Sequence, residues 1–432
     1  MGTFRKQLEK SRVNAGEIIR GKVNNRDVGF FIKEARIRLD HTLDEVANGI
    51  CAPSYLSKIE AGLVPIKSVI ASENSIFSQL IDRLQITIPE VMGCCRWVDT
   101  LKGSLIRNDV AIVKNDVASK FACEHQRNLN GFFGAVLDAK CQVATDLKKN
   151  LDKLEEYLLV EEAQVYYLFV GIYFEQMMEA VIAFEYYKLS LELASYMQKP
   201  DPYLLQRMAK HSFKIGKVYS GFSYLDEALD LFEKLYASKW LVECQLIWCK
   251  EKLGASDARG VGLMLERIGS KLDYEDPFLQ YAQFLNVKAL FYKQAGEFDL
   301  AEMYYLQSLN EAKGYFSEDS VVELAEMYLF KREITKMKKH LEWAAGCDLS
   351  LSVRNKIKYY RFKSAEPAEN SNLEFEKFLQ KEAINQAVSE ADMQYLDVYG
   401  KSLISAYSQR RKLSLAMKTY EMLEGYKCEF SH

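Results

Sequence analysis

The sequence predicts an all-α fold: a small N-terminal helical bundle built around two short helices and a tight turn, then a long array of helical hairpins. Three observations carry this. Only seven prolines and 22 glycines fall among 432 residues, too few for a turn-dense β fold and suited to long helices with short connections. Residues 42–60 place two apolar helical stripes on either side of an Asn-Gly break. From about residue 155 onward a small-large pattern returns at the spacing of a helical hairpin. A chain of this length exceeds one compact core and predicts two or three domains.

Residues 1–26 read as a basic N-terminal arm, partly helical around Phe4 to Leu8. Arg5, Lys6, Lys10, Arg12, Arg20 and Lys22 stand there against Glu9 and Glu17. Residues 27–88 read as the bundle. Thr42 and Glu45 have the spacing of a capping box, in which each satisfies the other's backbone N–H. Leu43, Val46 and Ala47 form the stripe of that helix, and Asn48-Gly49 breaks it. Pro53 suits the first turn of the next helix, where a missing N–H costs nothing. Tyr55, Leu56 and Ile59 follow at helical spacing, and Gly62 is a stop signal. Residues 63–72 read as a small insertion. A last helix runs near Ile76–Leu84 and is ended by Thr87-Ile88-Pro89. Residues 89–99 read as linker, and 100–432 as one repeat domain whose first 50 or so residues are helical without a repeat signal.

The clearest repeat runs from Tyr281 to Lys313. Ala289, Tyr292, Gly296, Phe298, Ala301, Tyr305 and Ser308 give the alternation of a tetratricopeptide repeat, where a small residue on each helix admits its partner. The same frame finds Gly216, Tyr219, Ala228 and Phe232, and Gly171, Phe174, Ala183, Tyr187 and Ser190. Weaker copies are Ala325, Tyr328 and Ala344, and Tyr407, Ala416 and Tyr420. Residues 240–280 are poorly periodic and read as a divergent repeat, and Glu366–Asn372 as a long loop. Stacked repeats of this kind form a groove lined by their first helices. The frame turns Lys210, Lys217, Asn286, Lys293, Gln294, Glu326 and Lys401 into it. Asn and Gln carry a donor and an acceptor together and so can satisfy an extended peptide backbone.

Ile32-Lys33-Glu34-Ala35-Arg36, Thr42 through Ala47, Tyr55-Leu-Ser-Lys-Ile-Glu60 and Gly62 resemble the Cro/C1 (Xre) helix-turn-helix family. The triplet Gly49-Ile50-Cys51 is similar to a narrower group, the RNPP regulators of Gram-positive bacteria (the Rap, NprR, PlcR and PrgX group). The resemblance implies a five-helix helix-turn-helix bundle followed by a TPR-like α-solenoid, a right-handed superhelix that binds a short signalling peptide. It implies double-stranded DNA as a partner, with Pro53, Ser54 and Lys58 toward base edges and Thr42 and Ser57 toward phosphate. Lys33 is a further phosphate candidate. It implies that Arg36 and Glu60 form an internal salt bridge rather than a contact. Leu43 stands where the family often has Gln, which removes one contact and points to a homodimer on a pseudo-palindromic operator. The alternative reading is a Rap-like docking protein that engages a response regulator, with DNA binding secondary.

Charge supports the need for two half-sites. Residues 26–90 carry seven bases against nine acids in a chain of net charge −3, so the bundle is not basic by itself. No catalytic constellation is present, and the reading is not of an enzyme. The five histidines are scattered, no metal-binding or phosphate-cradling motif occurs, and Gly260-Val-Gly262 is a lone fragment, so no cofactor is expected. Nine cysteines lack C-x-x-C pairs and read as thiols in a reducing compartment. The apolar run Val165–Phe174 is too short to span a bilayer. A cytoplasmic protein without a membrane partner is expected.

Overall fold

The computed structural model describes residues 2–19, 26–61, 63–64, 76–85, 98, 101–105, 124–155, 158, 160–272, 278–310, 317–365 and 369–431. Gly62, most of the 63–72 insertion, Thr87–Pro89 and all of the 89–99 linker except Val98 lie outside them. Among the described residues there are helices and no strand. The chain divides into two compact units, 1–204 and 205–432.

The first unit holds α1 (Gly2–Ile19), α2 (Arg26–Arg38), α3 (Leu43–Ala47), α4 (Pro53–Glu60), α5 (Ile76–Arg83), α6 (Glu124–Leu137), α7 (Cys141–Leu154), α8 (Val160–Gln176) and α9 (Ala180–Tyr196). Helices α2–α5 enclose a core of their own: Ile32, Ala35, Val46, Ala47, Leu56, Ile59, Leu80, Ile81 and Leu84. Four helices of the bundle are thus described, and a fifth would fall outside the described residues. Gly29 sets how closely α2 crosses α4. A Cβ there would lie 1.9 Å from the Ile59 carbonyl oxygen.

Helix α8 is the axis of the rest of this unit. Glu162 through Phe174 are all buried, because α1, α6, α7 and α9 pack around it. That enclosure explains the apolar run at 165–174. No helix among the described residues is long and apolar enough to cross a membrane. Phe133 stacks on Phe169 with centroids 4.3 Å apart, and Phe174 on Tyr186 at 5.5 Å. Gly171 admits α9: a Cβ there would meet the Tyr187 ring at 2.4 Å.

Residues 2–19, read from sequence as part of an arm, form a helix with one seated face. Leu8, Ser11, Asn14 and Ala15 are buried against α8 and α9. Leu8, Ser11 and Ala15 repeat at helical spacing, but the face is half polar, so charge count dominated the sequence reading.

Helix α10 (Pro202–Lys214) spans the division. The second unit continues through α11 (Val218–Lys234), α12 (Ser238–Gly254), α13 (Val261–Lys271), α14 (Phe278–Gln294), α15 (Phe298–Asn310), α16 (Glu318–Phe330), α17 (Ile334–Ala345), α18 (Leu351–Ser364), α19 (Glu369–Phe378), α20 (Ile384–Ser389), α21 (Met393–Gln409) and α22 (Leu413–Ser431). A π-helical turn, Leu379–Ala383, joins α19 to α20. Consecutive helices pair as hairpins, and first helices also pack on first helices, α12 on α14 and α16 on α18. In the clearest repeat Ala289, Ala301, Tyr305 and Ser308 are fully buried. Residues 238–271 form an ordinary hairpin; α12 buries Val242, Cys244, Leu246, Cys249 and Leu253, which blurs its periodicity. The loop expected at Glu366–Asn372 is shorter, since α19 begins at Glu369.

Candidate nucleic-acid interface and candidate peptide-binding face

Helices α3 and α4 are joined by a short turn, and the pair is held at four points. Thr42 Oγ1 accepts from the Glu45 N–H at 3.3 Å, and Glu45 Oε2 accepts from the Thr42 N–H at 2.6 Å, a complete capping box. Gly49 takes φ 75° in the turn, a left-handed conformation that glycine adopts without strain. Arg83 Nη1 donates to the Val46 carbonyl at 3.1 Å and to that of Asn48. Arg36 and Glu60 form a bidentate bridge, Nε–Oε1 2.7 Å and Nη2–Oε2 2.9 Å. Arg36 Nη1 also donates to the His41 carbonyl.

This framework leaves Pro53, Ser54, Ser57 and Lys58 exposed on one face of α4, opposite buried Leu56 and Ile59. Lys33 is half-buried on α2. Thr42 is exposed, but its hydroxyl also donates to Glu45 Oε2 at 2.9 Å. Its hydrogen-bonding capacity is engaged in the cap, and Glu45 keeps a carboxylate beside it. The cap and Thr42 hold that carboxyl below its usual range.

In the second unit, the first helices carry a row of ion pairs. Lys210 on α10 meets Glu243 on α12 at 2.6 Å. Lys250 on α12 meets Asp319 on α16 at 2.6 Å. Lys293 on α14 meets Glu323 at 2.8 Å and Glu326 at 2.6 Å, both on α16. Lys356 on α18 meets Asp392, the N-cap of α21, at 3.0 Å, with its ammonium 3.9 Å from the centroid of the Tyr395 ring. Lys250 holds the Asp319 carboxyl below its usual range, aided by Lys356 and Lys214. Burial pushes Glu323 up against the pull of Lys293. Lysines of α10, α12 and α18 thus act on one carboxylate of α16, so this face concentrates charge of both signs.

Of the residues read from sequence as groove contacts, Lys210, Lys293 and Glu326 lie in this row. The others do not. Asn286 is buried, and its amide donates to Ser320 Oγ at 2.8 Å. Ser320 donates to Ser308, and Ser308 to the Ala282 carbonyl, so Asn286 belongs to a chain of hydrogen bonds between helices. Lys217 sits in the turn before α11. Gln294 donates to the Leu253 carbonyl and lines a surface cavity of about 770 Å³ with Asp257, Arg259 and Phe291. Lys401 pairs with Asp397 one turn away on α21.

Sequence reading missed Glu243, Lys250, Asp319, Glu323, Lys356 and Asp392. A signal was present: Glu243 and Lys250, like Asn286 and Lys293, lie seven residues apart, two turns along one face. The thiols of Cys244 and Cys249 are pushed up to about 12 by burial, so both are inert packing groups.

No protein-family model matches the chain, and no curated protein does. Solved structures do match. The apo form of the quorum sensor NprR from B. thuringiensis is 14% identical, with a TM-score of 0.53 over 90% of this chain and 99% of that one. NprR in complex with its cognate peptide NprX is 15% identical, TM-score 0.59, over 76% and 99%. A Rap protein complexed with competence and sporulation factor is 14% identical, TM-score 0.55, over 78% and 97%. At this identity the likeness is one of fold, and it supports the tetratricopeptide-like helical reading.

Proposed function

We propose that the chain is a homodimeric transcriptional regulator. In this reading α4 enters the major groove of a pseudo-palindromic operator, and the repeat domain binds a short signalling peptide that changes DNA affinity. The observation that carries it is the exposed face of Pro53, Ser54, Ser57 and Lys58, braced by the Arg36–Glu60 bridge, in a chain that shares the fold of a quorum sensor over 90% of its length. Two of the similar structures are complexes with a signalling molecule, NprX or competence and sporulation factor. Lys58 donates to a guanine edge, Ser54 to either base type, and Pro53 offers apolar contact. Ser57 and Lys33 face phosphate. The charged first-helix face, with Lys210, Lys293 and Glu326 in it, is the peptide site. Two half-sites lie about 34–36 Å apart, one helical turn.

A second reading, docking to a response regulator in the Rap manner, is favoured by one observation. The bundle has more acids than bases, and Arg12 and Lys10 of the N-terminal helix are engaged within the protein. Titration of the full chain with duplex DNA from the flanking region at two salt concentrations separates the readings. The regulator binds specifically, and binding weakens with salt. No duplex binding at low salt would leave the docking protein.

A further inference from the structure

We propose that the first-helix face of the second unit is polar along its length and orients its ligand by charge: an extended peptide lies with an acidic group on Lys210 and Lys239 and a cationic group on Glu323 and Glu326. This rests on the peptide-binding reading above and names the chemistry of the peptide. The basic pole is at α10 and the start of α12. Lys210 meets Glu243 at 2.6 Å. Against the push of burial, Lys210, Arg207 and Lys239 together pull that carboxyl below its usual range. Lys214, one turn beyond Lys210, is exposed. Three bases thus act on one acid, and a carboxylate brought by a peptide finds charge to pair with.

The acidic pole is on α16. Asp319, Glu323 and Glu326 stand four and three residues apart, on one face over two turns. Among the described residues two ammonium groups touch them. Lys250 meets Asp319 at 2.6 Å, and Lys293 meets Glu323 at 2.8 Å and Glu326 at 2.6 Å. Lys356 and Lys214 act on Asp319 from further away, and Lys356 is committed to Asp392. Glu251 of α12 is close enough to feel Asp319, a fourth negative charge. An ionised carboxylate accepts about four hydrogen bonds. Asp319 and Glu326, 56% and 49% exposed, each receive one from a lysine, on Oδ2 and on Oε2. Tyr305 of α15 points the same way. Its side chain is fully buried, and its hydroxyl has no hydrogen-bond partner among the described residues. Burial, then Glu323, Glu326 and Asp319, raise its pKa, so the hydroxyl lies among these carboxylates. A buried hydroxyl without a partner keeps its desolvation cost. An ammonium or guanidinium brought to the stripe supplies N–H donors to that oxygen and to the carboxylates. Three first-helix steps of about 8–10 Å separate α10 from α16. The poles are thus about 24–30 Å apart, the length of about 7–9 extended residues.

The test is affinity selection of a random synthetic peptide library, about eight residues long, on the full chain, with recovered peptides sequenced by mass spectrometry. Free and acetylated N-termini, and free and amidated C-termini, form separate arms that tell a terminal charge from a side-chain charge. The parent should enrich peptides that are basic toward one end and acidic toward the other. A photoreactive residue beside the basic group should label α14 or α16, and one beside the acidic group should label α10 or α12. Glu323→Gln/Glu326→Gln should weaken an enriched peptide about tenfold and erase the basic preference. Lys210→Gln should do the same to the acidic preference, as for loss of a charge-assisted contact. Glu326→Gln alone, at a half-exposed position, serves if the double variant fails to fold. Enrichment without charge order, or labelling with the two ends exchanged, overturns the polarity while peptide binding stands. No enrichment in any arm removes the peptide-binding reading and this proposal with it.

Discussion

At the scale of single residues, the positions that read correctly from sequence are those whose partners lie close by in the chain. Thr42 and Glu45 are three apart, and their capping box forms. Arg36 and Glu60, 24 apart, were paired only through a family resemblance; they meet because α2 crosses α4 at Gly29. Asn286 was read as open to a groove because its buried state depends on Ser320, 34 residues further on. Replacing Glu60 with Ala leaves a half-buried guanidinium without its carboxylate, whose side chain is only 6% exposed. Thermal unfolding should show a loss of about 2–3 kcal/mol. Lys58→Ala acts differently. The residue is exposed and makes no core contact, so stability should be unchanged while specific DNA binding weakens by about 1–3 kcal/mol and sequence choice relaxes at one base pair. A uniform loss on every duplex would assign Lys58 to phosphate instead.

At the scale of elements, the clearest repeat and the Gly216 unit are hairpins in which a glycine closes the turn. Gly216 and Gly296 take φ 79° and 80°. Elsewhere the same left-handed position is filled by Met178, Tyr236, Ser256, Arg332 and Arg411, at a cost of roughly 1–2 kcal/mol each; the units turning at Met178, Arg332 and Arg411 were still found by their small and aromatic residues, the last two only weakly, and the hairpin turning at Ser256 was not. Gly29 is the tightest crossing in the bundle. Gly29→Ala forces α2 away from the Ile59 carbonyl, and its overpacking outweighs the gain in helix propensity. A net loss of about 2–3 kcal/mol is expected in chemical denaturation; a stabilised variant would show that α2 and α4 stand further apart.

Helix α1 carries a pH dependence. Burial raises the Glu155 carboxyl above its ordinary range. Ser11 of α1, Tyr167 of α8, Tyr186 of α9, and Asp152 and Lys148 of α7 surround it, with Lys10 and Arg12 of α1 engaged nearby on the Asp152 carbonyl and Glu185. A group whose pKa is raised on docking binds its proton more tightly when docked, so docking is favoured below the ordinary glutamate range and weakens as pH rises through the raised value. Exchange over residues 6–16 should therefore be slower at pH 5 than at pH 8 after correction for intrinsic rates. Glu155→Gln should abolish that difference.

At the scale of the whole molecule, the all-α class and the hairpin array were legible because composition and repeat spacing act over hundreds of residues. The division at residue 204 was not, since α8 and α9 obey the same repeat frame as the hairpins beyond it. The helix expected only around Phe4 to Leu8 runs from Gly2 to Ile19, and its docking was hidden because its seat is formed by residues more than 140 positions away. The first-helix face joins lysines and carboxylates from α10 to α21. Under the proposed function, a peptide that entered it would exchange protein ion pairs for its own, and its binding would alter how neighbouring hairpins are held. Such coupling is worth about 1–3 kcal/mol in known cases and must run both ways.

That reciprocity gives the most direct test of the central claim. Affinity of the full chain for its operator is measured with and without synthetic peptides encoded by small open reading frames beside the gene. Affinity for the active peptide is then measured with and without operator. The account predicts one peptide that changes DNA affinity about 5–150-fold, with operator changing peptide affinity by the same factor. Specific DNA binding that no peptide alters, or peptide binding indifferent to operator, would contradict it.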